Sequence, residues 1–205
     1  MDVYEAIKTR RTTRRFKNEP VPPEVLTRSV DAARLAPTAK NQQALEYLII
    51  DDPELYNKIY AAVVMVDSYS SGRLKTGAEL RPKAYIAILI NHERESPHGN
   101  SGEYNPYDIA MAAENIILTA VAAGLATCPI LLFKPERLKE ILSLPESHDA
   151  GMLVALGYGA ETSVTYPLTD SVAFEVDEKG VRHLPKRELK DVIHHNSLGT
   201  LPVGF

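Results

Sequence analysis

Arg10-Arg11-Thr12-Thr13-Arg14-Arg15-Phe16-Lys17 concentrates five cations in eight residues of a chain whose net charge is −4. Thr12 and Thr13 are β-branched and favour extended backbone. In an extended run alternate side chains share a face, so Arg10, Thr12 and Arg14 are expected on one side and Arg11, Thr13 and Arg15 on the other. Two guanidinium forks flanking a hydroxyl suit a phosphate monoester. The plainer reading of the same residues is a solvated basic patch.

The surrounding composition favours a small anionic ligand. An acidic chain is a poor general binder of nucleic acid or of a membrane surface, so the basic cluster is a local feature. The 205 residues, 44% hydrophobic, suffice for one domain, 1–205, with a substantial core. A single cysteine, Cys128, excludes an intrachain disulfide and fits a reducing cytoplasm. No apolar run reaches the roughly 18–20 residues of a membrane span, and Met1–Glu5 has no signal-like character. A cytoplasmic protein is expected, with no nucleic-acid or membrane partner.

Helices are expected after Asp2, from Pro23-Glu24 to before Pro37, after Asp52-Pro53, from Asn105-Pro106 to Gly124, over Pro135–Leu142, and near Arg187. Apolar residues nearly encircle the 105–124 helix, which predicts burial in a core or at a subunit interface. Strands are expected at 47–50, at 84–90 as a central strand, at 152–156, and as a hairpin of 172–176 with 181–184. The segments 67–82 and 92–104 read as loops that shape a pocket or lid, with Tyr69, Arg73 and Lys75 as candidate contacts. The tail keeps Leu198, Leu201, Val203 and Phe205, apolar residues that call for a cover such as a partner subunit.

Familiar catalytic signatures are missing. No phosphate-binding Gly-x-x-x-x-Gly-Lys loop is present, and Gly157-Tyr158-Gly159 lacks the third glycine of a dinucleotide turn. The histidines at 92, 98, 148, 183, 194 and 195 do not fall at zinc-ligand spacing, so no metal site is expected. Two further stretches carry information. Ala36-Pro37-Thr38-Ala39-Lys40-Asn41-Gln42-Gln43 is a polar loop leaving a helix. Pro185-Lys186-Arg187 puts cations at an expected helix start, where the helix dipole disfavours them, so a nearby anion would explain the placement.

Taken together, Arg10–Phe16, Ala36–Gln42, Ala155-Leu156-Gly157-Tyr158 and the late Arg187 with Leu189–Ile193 resemble the FMN-dependent nitroreductase family. The resemblance implies an α+β fold with a mixed, mostly antiparallel sheet flanked by helices, forming an intertwined homodimer with FMN at the interface. By motif, Arg10, Thr12 and Arg14 would hold the ribityl phosphate and the pyrimidine side of the flavin, with Arg11 contributing backbone. Pro37, Thr38, Ala39 and Asn41 would reach FMN from the partner subunit. Ile130, Leu131 and Leu132 would line the ring, and Lys186 and Arg187 would close on the phosphate. Threonine replaces the usual serine at 12 and 38, keeping both hydroxyls, and Gln43-Ala44-Leu45 stands where the family often has Pro-Trp.

The implied activity is hydride transfer from NAD(P)H through flavin N5 to an electron-deficient acceptor such as a nitroaromatic or quinone. No catalytic side chain is expected, because the flavin supplies the chemistry. The alternatives are a flavin-destroying, dehalogenating or ene-reducing relative on the same fold, or a module that binds or senses FMN without turnover.

Overall fold

The computed structural model describes residues 1–64, 77–95, 101–202 and 204 of the chain. The candidate lid residues Tyr69, Arg73 and Lys75, together with His98, Val203 and Phe205, lie outside the described residues. The described residues fall into two compact units, one ending at Ala160 and the other beginning at Glu161.

The first unit is built on a four-stranded, wholly antiparallel sheet of order β1-β2-β4-β3. Its strands are β1 (Leu45–Ile50), β2 (Ala84–Asn91), β3 (Ala126–Ile130) and β4 (His148–Gly157). β2 lies between β1 and β4, and its side chains divide by parity between two cores. Ala84, Ile86 and Ile88 pack with Val154 and Leu156 on one face, while Tyr85, Ala87 and Leu89 pack with Leu153 and Ala155 on the other. This explains why β2 reads as a continuous apolar run.

Among the described residues five helices flank the sheet: α1 (Val3–Thr9), α2 (Pro23–Arg34), α3 (Pro53–Ala62), α4 (Ser101–Ala122) and α5 (Pro135–Leu142). Asp2 caps α1 by accepting from Glu5 N at 2.9 Å, and Asp52 caps α3 by accepting from Glu54 and Leu55 N. α4 opens at Ser101 rather than at Asn105, and Pro106 lies inside it. The helix ends where expected, with Gly124 at φ +84. Ile109, Ala112, Ala113, Ile116, Ile117 and Ala120 are buried, whereas Tyr107 is 66% exposed, so α4 is apolar toward the core and open along one stripe.

β3 escaped the sequence reading because Pro129 sits in it. The topology supplies the reason: β3 is an edge strand, where a missing N–H is tolerated.

The second unit holds a small sheet of order β5-β7-β6, with β5 (Ser163–Pro167) parallel and β6 (Glu175–Val176) antiparallel to β7 (Arg182–Lys186). The expected hairpin is present, joined by a β5 that its polar composition concealed. Arg182 is buried, pairs with the equally buried Glu161 at 3.2 Å and lies over the Phe174 ring. The helix expected near Arg187 is absent; only a 3-10 turn, Leu189–Asp191, forms. The turn ends at Val192, whose φ of −129 and ψ of −3 leave the helical region, and Asn196 at φ +61 and Gly199 at φ +88 turn the chain again further on. His194 and His195 are therefore not on a helix.

Candidate functional site

The cationic segment is extended but is not one straight strand. Thr12 forms a parallel bridge with Thr127, and Thr13 N–H donates to Thr127 O at 2.9 Å. Because β4 occupies the other edge of β3, this bridge uses the free edge. The segment then turns across the end of β4: Phe16 bridges Gly159, and Lys17 N–H donates to Tyr158 O at 2.7 Å. Thr13 and Phe16 are the buried positions, three apart, so strict alternation is broken at the crossing. Arg10, Thr12 and Arg14 remain half-buried.

The two glycines of Gly157-Tyr158-Gly159 are explained by close packing at the end of β4. A Cβ at Gly157 would stand 2.9 Å from Phe16 Cδ1, and one at Gly159 would stand 3.2 Å from Ala126 Cβ. Gly157 admits the close approach of the cationic segment and Gly159 that of β3, rather than forming a nucleotide turn.

Arg11 is engaged differently from its neighbours. Its Nη1 donates to the carbonyls of Lys8 and Arg10, closing the C-terminal end of α1. Burial and then the Arg10 charge push its pKa down. The Nη1 side of the guanidinium is thus committed to main-chain carbonyls within its own stretch of chain.

The Pro37–Gln43 loop holds a conformation that its residues do not favour. Lys40, Asn41 and Gln43 all have positive φ, at 53°, 55° and 52°. Non-glycine residues in this region cost about 1–2 kcal/mol each, and such strain clusters at functional sites. The loop is pinned from α4, where Asp108, 6% exposed, accepts the Ala39 N–H at 3.0 Å on one oxygen and 3.2 Å on the other. Thr38 Oγ1 accepts Gln43 N–H at 3.2 Å. Burial, followed by the Asp108 charge, pushes the Tyr47 phenol up to about 12.

Sequence reasoning missed Asp108. Its only signal was a carboxylate inside an otherwise apolar helix. Replacing Asp108 with Ala is expected to free the loop at a cost of about 1–3 kcal/mol, because the Ala39 N–H loses a charged acceptor. Faster tryptic cleavage after Lys40 would report this directly. Asp108→Asn, which keeps an acceptor oxygen, should lie between.

Beyond β3 the chain presents Leu131 and Leu132, 64% and 56% exposed, whereas Ile130 is 3% exposed and its side chain belongs to the core. Val63 bridges Phe133 and Val64 N–H donates to Leu132 O at 2.7 Å, tying the end of α3 to this stretch. Lys186 ends β7 and Arg187 follows it, both in the second unit.

His92, His148 and His183 serve as polar joints. His148 Nε2 meets Glu46 at 3.0 Å, and His183 meets Asp177 at 3.0 Å. His92 is held by Asp149 through Nε2 at 2.8 Å and by Glu95 through Nδ1 at 3.1 Å. The bond to Asp149, then that to Glu95, raises its pKa above the ordinary 6.5, against opposing desolvation. A raised folded pKa gives stability that is full below the unfolded value and is lost as pH climbs through the folded one. Thermal stability should therefore decline from about pH 6 upward, and His92→Gln should flatten that slope in pH-dependent melting. No group of three metal-ligating side chains occurs among the described residues.

The nitroreductase family model matches residues 7–158. A Methanothermobacter thermautotrophicus protein provisionally named NADH dehydrogenase/NAD(P)H nitroreductase is 28% identical over 174 residues, 83% of this chain and 84% of its own length. The crystal structure of a nitroreductase family protein from Clostridium novyi superposes with a TM-score of 0.64 at 27% identity, covering 78% of this chain and 87% of that one. An FMN-dependent nitroreductase from Clostridium difficile shares the fold, with a TM-score of 0.65 at 21% identity over 94% and 98% of the two chains.

Proposed function

Since this chain belongs to the nitroreductase family, we propose that it is an NAD(P)H-dependent flavin oxidoreductase acting as a homodimer, with FMN bound at the subunit interface. When bound, FMN supplies the redox step, taking a hydride at N5 from the nicotinamide and delivering two electrons to an acceptor such as a quinone or nitroaromatic, which takes up protons from solvent.

The observation that carries the reading is the seating of the cationic segment. Arg10, Thr12 and Arg14 are held half-buried along the sheet edge by the Thr12–Thr127 bridge and by buried Phe16. Arg10 makes no ion pair among the described residues, leaving a forked donor for phosphate. The residues fit the cofactor in two further respects. Leu131 and Leu132 offer exposed apolar surface to a flat ring, and the strained loop brings Pro37, Thr38, Ala39 and Asn41 together on a pinned backbone.

In this reading Arg10, Thr12 and Arg14 bind the phosphate and pyrimidine side, with Arg11 contributing backbone. A cation at the pyrimidine edge favours the more negative, reduced cofactor by preorganised electrostatics. Ile130 contributes through its backbone, and Leu131 and Leu132 through backbone and side chain. Lys186 and Arg187 are assigned to the same phosphate on the family resemblance alone, which treats 1–205 as one functional domain. Partner-subunit contact is supported by the exposed Tyr4 of α1 and Tyr107 of α4, both 66% accessible.

The test is the absorption spectrum of the purified protein, followed by anaerobic addition of NADH or NADPH. A yellow protein bleached by either nucleotide supports the proposal. Tight flavin that neither nucleotide reduces would turn the reading to a binding module, and a colourless protein without affinity for FMN would end it.

A further inference from the structure

A second cationic feature lies away from Arg10–Lys17. The end of α3 and the start of α5 enclose a groove of about 550 Å³, floored by Val64, Leu131 and Leu132 and rimmed by Lys58, Lys134 and Arg137. Among the described residues no carboxylate lines it. We propose that this groove receives the phosphates of the nicotinamide dinucleotide and makes NADPH, with its additional 2′-phosphate, the preferred reductant. The inference rests on the oxidoreductase reading, which places Leu131 and Leu132 at the flavin and so makes the groove continuous with the site of hydride transfer.

Three observations support an anionic occupant. Lys134 occupies the N-cap position of α5 without a side-chain cap, and Arg137 stands in the first turn. That end of a helix favours anions and small hydrogen-bond acceptors, so cations there run against the local field unless an anion joins them. Glu136 shares the turn but faces a separate cavity with Lys139.

The existing partners of the rim are weak competitors. Lys58 pairs with Glu54 at 2.6 Å and Arg137 with Glu140 at 2.8 Å, each within its own helix and more than half exposed. Solvated pairs of this kind hold their members loosely, so both cations can turn to a phosphate. Lys134 pairs with no carboxylate among the described residues. The groove is also anchored: the Val63–Phe133 bridge and the Val64–Leu132 hydrogen bond fix its floor. Apolar floor and cationic rim together match a ligand with flat rings joined by phosphates.

The experiment compares the flavin-loaded parent with a K58Q/K134Q/R137Q variant, whose changes are all on the surface. Anaerobic titration gives the Kd for each nucleotide, and calorimetry gives the Kd for 2′,5′-ADP, a probe that carries the 2′-phosphate but cannot donate hydride. The parent should bind NADPH more tightly than NADH. In the variant the Kd for NADPH should rise about 30-fold and that for NADH about 5-fold, with a parallel loss of 2′,5′-ADP affinity.

Equal 2′,5′-ADP binding by parent and variant, no binding by the parent, or a parent that prefers NADH would each overturn the inference. A parent reduced by neither nucleotide would defeat the oxidoreductase reading instead, and the 2′,5′-ADP titration would still decide the groove.

Discussion

The Arg10→Gln/Arg14→Gln double variant is expected to purify colourless, with its Kd for FMN raised by about 10²–10⁴. The range follows from losing two charged hydrogen bonds to phosphate, each worth about 1.5–3 kcal/mol. Folding should survive, because both side chains are half-exposed while Thr13 and Phe16 anchor the segment through burial. Melting of the flavin-free proteins should therefore agree within about 2 °C, since solvent-facing substitutions rarely cost more than ~0.5 kcal/mol. Fluorescence titration of FMN gives the affinity. The Arg10→Lys/Arg14→Lys pair keeps the charge but loses the planar fork, so it should fall between parent and glutamine variant. Full retention of flavin by the glutamine variant would remove the segment from the binding site.

Phe16→Ala should give the largest loss of stability. Phe16 is fully buried and packs with Ile50, Ile59, Tyr85, Leu153 and Ala155 in one of the two cores. Truncating a buried phenylalanine costs about 3–5 kcal/mol. That is a large share of the about 5–15 kcal/mol available to a domain, and at this size it lowers Tm by roughly 10 °C.

The consequence is not confined to stability. Phe16 N–H donates to Leu80 O at 2.9 Å, and the ring covers Gly157, so the side chain fixes where the cationic segment crosses the sheet. Its removal should weaken FMN binding although Phe16 offers the ligand no polar group. Phe16→Leu, which retains most of the apolar volume, should recover much of both losses. A Phe16→Ala protein with parental Tm and parental FMN affinity would contradict the packing described for this residue.

Much of the architecture was legible from local signals. Asp2 and Asp52 announce helix starts because short carboxylate side chains satisfy the first free N–H groups. The apolar run at 84–90 announces a central strand because both of its faces are covered. Where the sequence misled, the governing interactions were not local. Pro129 conceals β3 until the sheet order shows it at an edge. The residues after Arg187 look helical, yet they form only a short 3-10 turn that ends where Val192 leaves the helical region.

The amino-acid order by itself determined the fold class, most element positions and the cationic motif, because capping, periodicity and charge clustering are properties of neighbouring residues. Only the tertiary structure decided how the site is held: Asp108 fastens a loop 69 positions away, Phe16 covers Gly157, and α3 and α5 close a basic groove that no contiguous stretch encodes. Such arrangements join residues remote in the chain, and packing alone brings them within hydrogen-bonding and van der Waals reach.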